Sequence, residues 1–298
     1  MPKRPGRQNR KSVGRKLAGI VLQDRDIQIL EAIAKHRFLR TGHLYSLFPR
    51  TSEQRMRSRL RLLIQHRYAR KVACKQERSR WGGSVPVVIG LGPRAKGTLE
   101  SRGVLSPARL AWCIREEAAS ASTEHQLMIS DFLVKLAAET KTRCDCELID
   151  EWQFYEEFLN SETIDLWVRV TIAAKRESIR IIPDAVFAIA YISNGRRTIR
   201  VYFLEAYRGR IVVLTSGNPK RKTIFKTLLA YEEIKRNGRT KQFFPYPFTV
   251  IVTSNIPDRL DSIRELVSYT QLFRFLDNAQ TTGSRQLLDL IQNGKRTS

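Results

Sequence analysis

Two acidic residues, Asp184 and Glu205, are spaced for joint chemistry. They lie in two β-rich runs, 179–192 and 198–207, separated by Asn194-Gly195. Asn-Gly favours a two-residue type I′ turn, because both central residues must take positive φ. That turn sets Ser193 opposite Arg196 and, counting back along both strands, Asp184 opposite Glu205. The inner pairs on that face, Val186 with Phe203, Ala188 with Val201 and Ala190 with Ile199, are apolar throughout. Two carboxylates with Cβ atoms ~4.5–5.5 Å apart repel each other unless a cation sits between them or one takes a proton. The matching chemistry is a divalent-cation site, whose oxygen ligands suit Mg²⁺ or Mn²⁺. Alternatively both carboxylates splay into solvent, pair with Arg180, Arg208 or Arg210, or are shifted by a bulge.

A second set of residues suits phosphate. Arg55, Arg57, Arg59 and Arg61 fall in one predicted helix, 51–66, opened by the capping pattern Thr51-Ser-Glu-Gln54. Met56, Leu60, Leu63 and Ile64 make its apolar stripe, and the arginines share the remaining arc with Gln54, Ser58 and Gln65. The guanidinium fork donates paired hydrogen bonds to phosphate and to guanine edges. A solvated face normally alternates sign, whereas this one has the single acid Glu53. Arg78 and Arg80 sit with Trp81, Gly82 and Gly83 in a loop over 76–84. Residues 1–16 hold seven cations, Lys11 and Arg15 among them, and no acid.

The elements that must position these groups fall into two parts. Ile27, Leu30, Ile33 and Ala34 predict a helix over 24–36, and Leu44, Leu47 and Phe48 a short one over 41–48 stopped by Pro49. Strand-like runs over 68–75 and 85–91 follow the arginine helix, and a closing helix fits 92–103. Three helices and then a hairpin is the order of a winged helix-turn-helix. Its third helix enters the major groove of duplex DNA while the hairpin tip follows the backbone or minor groove. The chain thus divides into a flexible basic arm (1–16), a winged helix-turn-helix (17–105), a linker (106–122) and an α/β domain (123–298). Within the last, helices are predicted over 123–140, 222–236 and 260–275, and strands over 146–152 and 248–253 beside the hairpin.

The net charge of +24 follows this division. Residues 1–110 hold 26 Lys and Arg against 6 Asp and Glu, a balance of +20; residues 111–298 hold 27 against 23, or +4. Charge so concentrated calls for a polyanion, with duplex DNA ahead of an anionic membrane surface. An apolar share of 42% supports real cores and excludes a disordered basic tail. No apolar run approaches the ~20 residues needed to cross a bilayer. The basic start lacks the apolar stretch of a secretory signal. Four cysteines, with Cys144-Asp-Cys146 lacking a second ligand pair, fit a reducing compartment better than disulfides or zinc. The expected location is the cytoplasm, on the nucleoid or a plasmid.

Pro183-Asp184-Ala185, followed one hairpin later by Phe203-Leu-Glu205-Ala-Tyr207-Arg-Gly209, resembles the core of the PD-(D/E)xK nucleases. Over roughly residues 24–275 the chain resembles the replication-relaxation family of plasmid and mobile-element proteins. That likeness rests on Arg25-Asp26-Ile27, His125, the Pro-Asp-Ala, the Glu-x-x-Arg-Gly and a helix ending near Tyr231. It implies a nuclease-like α/β domain in which Asp184 and Glu205 bind the metal, joined to a winged helix on duplex DNA. It also implies a role in replication or mobilisation beside replication, relaxase or recombination proteins, with a homodimer left open. A nuclease of this kind has a Lys two residues after the Glu, where this chain has Tyr207. Lys226 of the next helix is the candidate replacement; Arg208 can bind phosphate but, never deprotonated, cannot act as a base. The leading expectation is a DNA-binding protein whose nuclease-like domain cleaves weakly or not at all. The alternatives are a Mg²⁺-dependent endonuclease using Asp184, Glu205 and Lys226, and a transcriptional regulator of the element.

Overall fold

The computed structural model describes residues 19–73, 86–104, 120–159, 164, 166–172, 174–208, 223–265, 267, 271–277 and 286–293. Lys11 and Arg15 of the arm, Arg78, Arg80 and Trp81 of the loop, Arg210, and the 105–119 connection lie outside them.

Apolar residues at helical spacing build the first third. α1 (Asp24–His36), α2 (Thr41–Leu47) and α3 (Glu53–Gln65) enclose a core that includes Leu30, Ile33, Leu44, Met56, Leu60 and Leu63. α3 starts later than its capping pattern predicts. Thr51 is buried with its N–H on the Phe48 carbonyl (3.0 Å), and the Ser52 hydroxyl accepts from the Arg55 N–H (3.4 Å). An unpredicted strand, β1 (Phe38–Arg40), joins β2 (Ala69–Val72) and β3 (Val88–Leu91) in an antiparallel sheet of order β1-β3-β2. α4 (Ala95–Ser101) closes this part as expected.

α5 (Ser120–Thr140) serves two cores. Leu127 packs with Phe38 and Val88, and Val134 joins the core of α1–α3. Met128, Ile129, Phe132 and Leu136 lie instead on a large sheet. Apolar surface on more than one side marks a helix buried between layers.

That sheet is mixed and five-stranded. Its order is β10 (Phe273–Asp277), β9 (Phe248–Ser254), β8 (Arg196–Tyr207), β7 (Ala185–Ser193), β4 (Cys146–Ile149). The β8–β9 and β9–β10 pairs are parallel and the others antiparallel. α5 and α9 (Leu287–Asn293) cover one face. The other is covered by α6 (Glu151–Phe158), α7 (Ile224–Arg236), α8 (Pro257–Arg264) and a separate two-stranded sheet of β5 (Leu166–Ile172) and β6 (Lys175–Ile181). The fold class is therefore mixed α/β, as expected.

The β7–β8 hairpin forms as its turn dictates. Asn194 and Gly195 have φ of 50° and 71°, and the register runs from Ser193↔Arg196 to Ala185↔Leu204. Three predicted elements are instead divided. The run over 179–192 is two strands of different sheets, broken before Asp184 by Pro183, which has no N–H to extend a ladder. The strand over 146–152 stops at Asp150, whose carboxylate caps α6 by accepting from the Trp152 and Gln153 amides, each at 3.0 Å. The helix over 260–275 separates into α8 and β10.

Candidate functional site

The end of β8 carries the acidic cluster. Alternation along the strand turns Glu205 to the same face as Val201 and Phe203, where it is only 3% exposed. A carboxylate so buried needs donors, and α7 supplies one: the Tyr231 hydroxyl donates to Glu205 Oε1 at 2.6 Å. The Tyr207 hydroxyl is buried in the same place without a hydrogen bond of normal geometry. Burial, and then the Glu205 charge, push both phenols well above their usual pKa, with Asp184 adding to each. They therefore stay protonated, as donors rather than nucleophiles.

Asp184 reaches the cluster from outside the ladder. Its N–H donates to the Leu204 carbonyl at 3.0 Å, so at this point the chain sits opposite residue 204 rather than 205. The expected one-to-one Asp184–Glu205 pairing stops one step short, as a local bulge would make it. The Asp184 carboxylate accepts from the Ala206 N–H at 2.8 Å through Oδ2 and meets His125 Nε2 at 3.2 Å through Oδ1. His125 lies on α5, whose preceding residue Glu124 forms an ion pair with Arg208 just past β8. Adjacent residues of α5 thus fasten the ends of β7 and β8. Lys226, only 4% exposed, meets Glu177 of β6 at 2.5 Å, which joins α7 to the smaller sheet.

Both Asp184 oxygens and one Glu205 oxygen are engaged by groups of the chain, and the residue beside them is a phenol. Among the described residues no three His, Cys, Asp or Glu side chains come together as a metal-holding group. Sequence pattern alone does not mark Tyr231, Glu124 or Glu177 as site residues. For Tyr231 a signal existed: a tyrosine inside an apolar helical stripe needs a partner for its hydroxyl.

The basic face lies on α3. Gln54, Ser58, Arg61 and Gln65 form its outermost line, with Arg55 on one flank and Arg57 on the other, all exposed. Arg57 donates to the Tyr45 hydroxyl at 2.9 Å and to Glu53 at 3.0 Å while staying at the surface. Arg59 turns inward, binding Asp26 on α1 and the Val21 carbonyl. Beside α3 a groove of about 610 Å³ runs between Arg25 and Gln23 of the α1 end and Gln54, Arg55 and Ser58.

The part that bears this face is docked on α5 and on the start of α6. Asp131 holds Arg40 and lies 2.6 Å from His43 Nε2, Ser130 Oγ donates to the His36 carbonyl at 3.2 Å, and Lys35 meets Asp150 at 2.8 Å. A family model described as replication-relaxation matches residues 30–245, spanning the arginine face, α5 and the acidic cluster. The chain belongs to the replication-relaxation family. Comparison with curated proteins and with solved structures returns no match. As a replication-relaxation protein it has a role in the replication or mobilisation of plasmids or mobile elements. No described helix is long and apolar enough to cross a membrane.

Proposed function

We propose that this replication-relaxation protein binds duplex DNA as a winged helix-turn-helix through α3. In the same proposal its second, nuclease-like part uses Asp184 and Glu205 to hold the sheet end together rather than to cleave DNA with a metal. The observation that carries the first half is the outer line of α3. There Arg55, Arg57 and Arg61 stand exposed beside Gln54, Ser58 and Gln65, and the one acid of the helix, Glu53, is taken up by Arg57. Such a set suits a major groove, where arginine reads guanine and glutamine reads adenine, with phosphates on either side. The order α1–α2–α3 followed by β2 and β3 supports the same assignment. For the second half, support comes from the engaged carboxylate oxygens and from Tyr207 in the lysine position.

Fluorescence anisotropy with a labelled duplex over a range of salt concentrations tests the first half. The double variant Arg55→Ala/Arg61→Ala is expected to weaken binding and to flatten the salt dependence by about two phosphate contacts. Unchanged affinity and slope would move the duplex site off α3. For the second half, supercoiled plasmid with Mg²⁺ or Mn²⁺ should stay intact with the wild-type chain. Nicking that disappears in Asp184→Ala would overturn it in favour of an active endonuclease.

A further inference from the structure

We propose that the outer face of the β5–β6 hairpin is a second nucleic-acid surface, which takes single-stranded DNA. Its inner face, with Leu166, Val168, Val170, Ile179 and Ile181, is buried in the core beneath α7. The register Trp167↔Arg180, Arg169↔Ser178 and Thr171↔Arg176 then turns three arginines, two hydroxyls and an indole to the outside. Among the described residues of the two strands no acid shares that face, since Glu177 lies on the opposite side and holds Lys226. Arg169 and Arg176 make no ion pair among the described residues.

Trp167 decides the class of ligand. It is 50% exposed, which is unusual for so large an apolar side chain. The Arg180 guanidinium stands 6.0 Å from its ring centroid, and the exposed half of the indole offers its surface to another planar group. Beside it a concave region of about 720 Å³ runs past Arg169, Arg176 and Arg239 to the end of α7. The acid in its wall, Glu233, is already held by Arg236 at 2.5 Å and Asn237 at 2.8 Å. Arg169 and Arg176, exposed side by side on this face, select a polyanion. An exposed indole on the same face selects one whose bases are free to stack, and a duplex hides those faces. Same-face residues along a strand lie about 6.6–6.8 Å apart, so Trp167 and Arg169 are spaced on the scale of successive nucleotides. Single-stranded DNA is the polyanion that replication or mobilisation exposes. This surface shares no residue with α3 and does not depend on duplex binding there.

The test uses the full chain and fluorescein-labelled oligo(dT) of about 20 nucleotides, longer than one stacking site. A labelled duplex and oligo(U) of the same length are run in parallel. Trp167→Ala and the pair Arg169→Ala/Arg176→Ala are each expected to weaken oligo(dT) binding about tenfold or more and leave duplex binding within about twofold. Arg55→Ala/Arg61→Ala should give the reverse pattern, so that failure at either surface is seen separately. If Trp167→Ala lowers the Tm, Arg176→Glu at an exposed position carries the same expectation. Oligo(dT) binding untouched by the hairpin variants would overturn the assignment. So would equal losses on duplex and single strand, or oligo(U) binding more tightly than oligo(dT).

Discussion

Arg59 and Arg61 are two residues apart on one helix and serve opposite ends. At about 100° per residue Arg59 borders the buried line of Met56, Leu60 and Leu63, whereas Arg61 points away from it. Arg59 therefore reaches Asp26, whose side chain is 0% exposed and also accepts from the Gln23 N–H that starts α1 at 2.7 Å. Removing one partner of a buried ion pair leaves an uncompensated charge. Arg59→Ala should thus lower stability by about 3–5 kcal/mol, read from the urea midpoint. A loss below about 1 kcal/mol would place Arg59 with the surface arginines instead. From the sequence the apolar stripe of α3 was legible, but not which arginine on its border turns inward. The partner lies 33 positions away on α1, and periodicity says nothing about that distance. Glu205 divides in the same way. Alternation placed it inward correctly, while the Tyr231 hydroxyl that satisfies it arrives from a different element.

The hairpin between β7 and β8 was the most legible element, because its turn chemistry and its alternating strands specify the same register. Gly195 holds φ +71°, and a Cβ there would meet nothing within 4 Å. Gly195→Ala should therefore cost about 1–2 kcal/mol, entirely from the left-handed backbone. Gly97 gives a contrast. It lies within α4, and its added Cβ also meets nothing within 4 Å. Gly97→Ala should stabilise by about 0.5–1 kcal/mol through helix propensity. Thermal unfolding of the two variants would test this, and shifts of the same sign would refute it. Sequence pattern and structure part where one residue interrupts an apolar run. Pro183 separates β6 from β7, and Asp150 ends β4 by capping α6. Apolar periodicity is nearly continuous across both breaks, so the local backbone chemistry decides them.

Across the whole molecule, α5 joins the arginine-bearing part to the large sheet, and the contact between them contains a pH-sensitive group. His36, at the end of α1, gives its carbonyl to Ser130 and lines a cleft of about 480 Å³ with Phe48, Leu133 and Trp152. Burial is the main cause that lowers its pKa from 6.5 to about 4. His43 and Lys35 push the same way and Asp150 partly opposes them. Its Nδ1 is buried without a hydrogen-bond partner, so a proton there would add an unmatched charge. The folded pKa is below the unfolded one, so between these values the unfolded chain binds more protons. Stability should be complete above about pH 6.5 and fall towards pH 4, by at most about 1.4 kcal/mol per pH unit from this group. Other groups titrate in the same window, so the measurement is a difference: urea unfolding of wild type and His36→Gln from pH 7 to pH 4. The wild-type curve should fall more steeply with acid, because glutamine removes the titration. Parallel curves would show that His36 takes its proton in the folded state as easily as in the unfolded one. A steeper wild-type fall would show that the folded chain keeps His36, at the end of α1 against α5, uncharged at neutral pH.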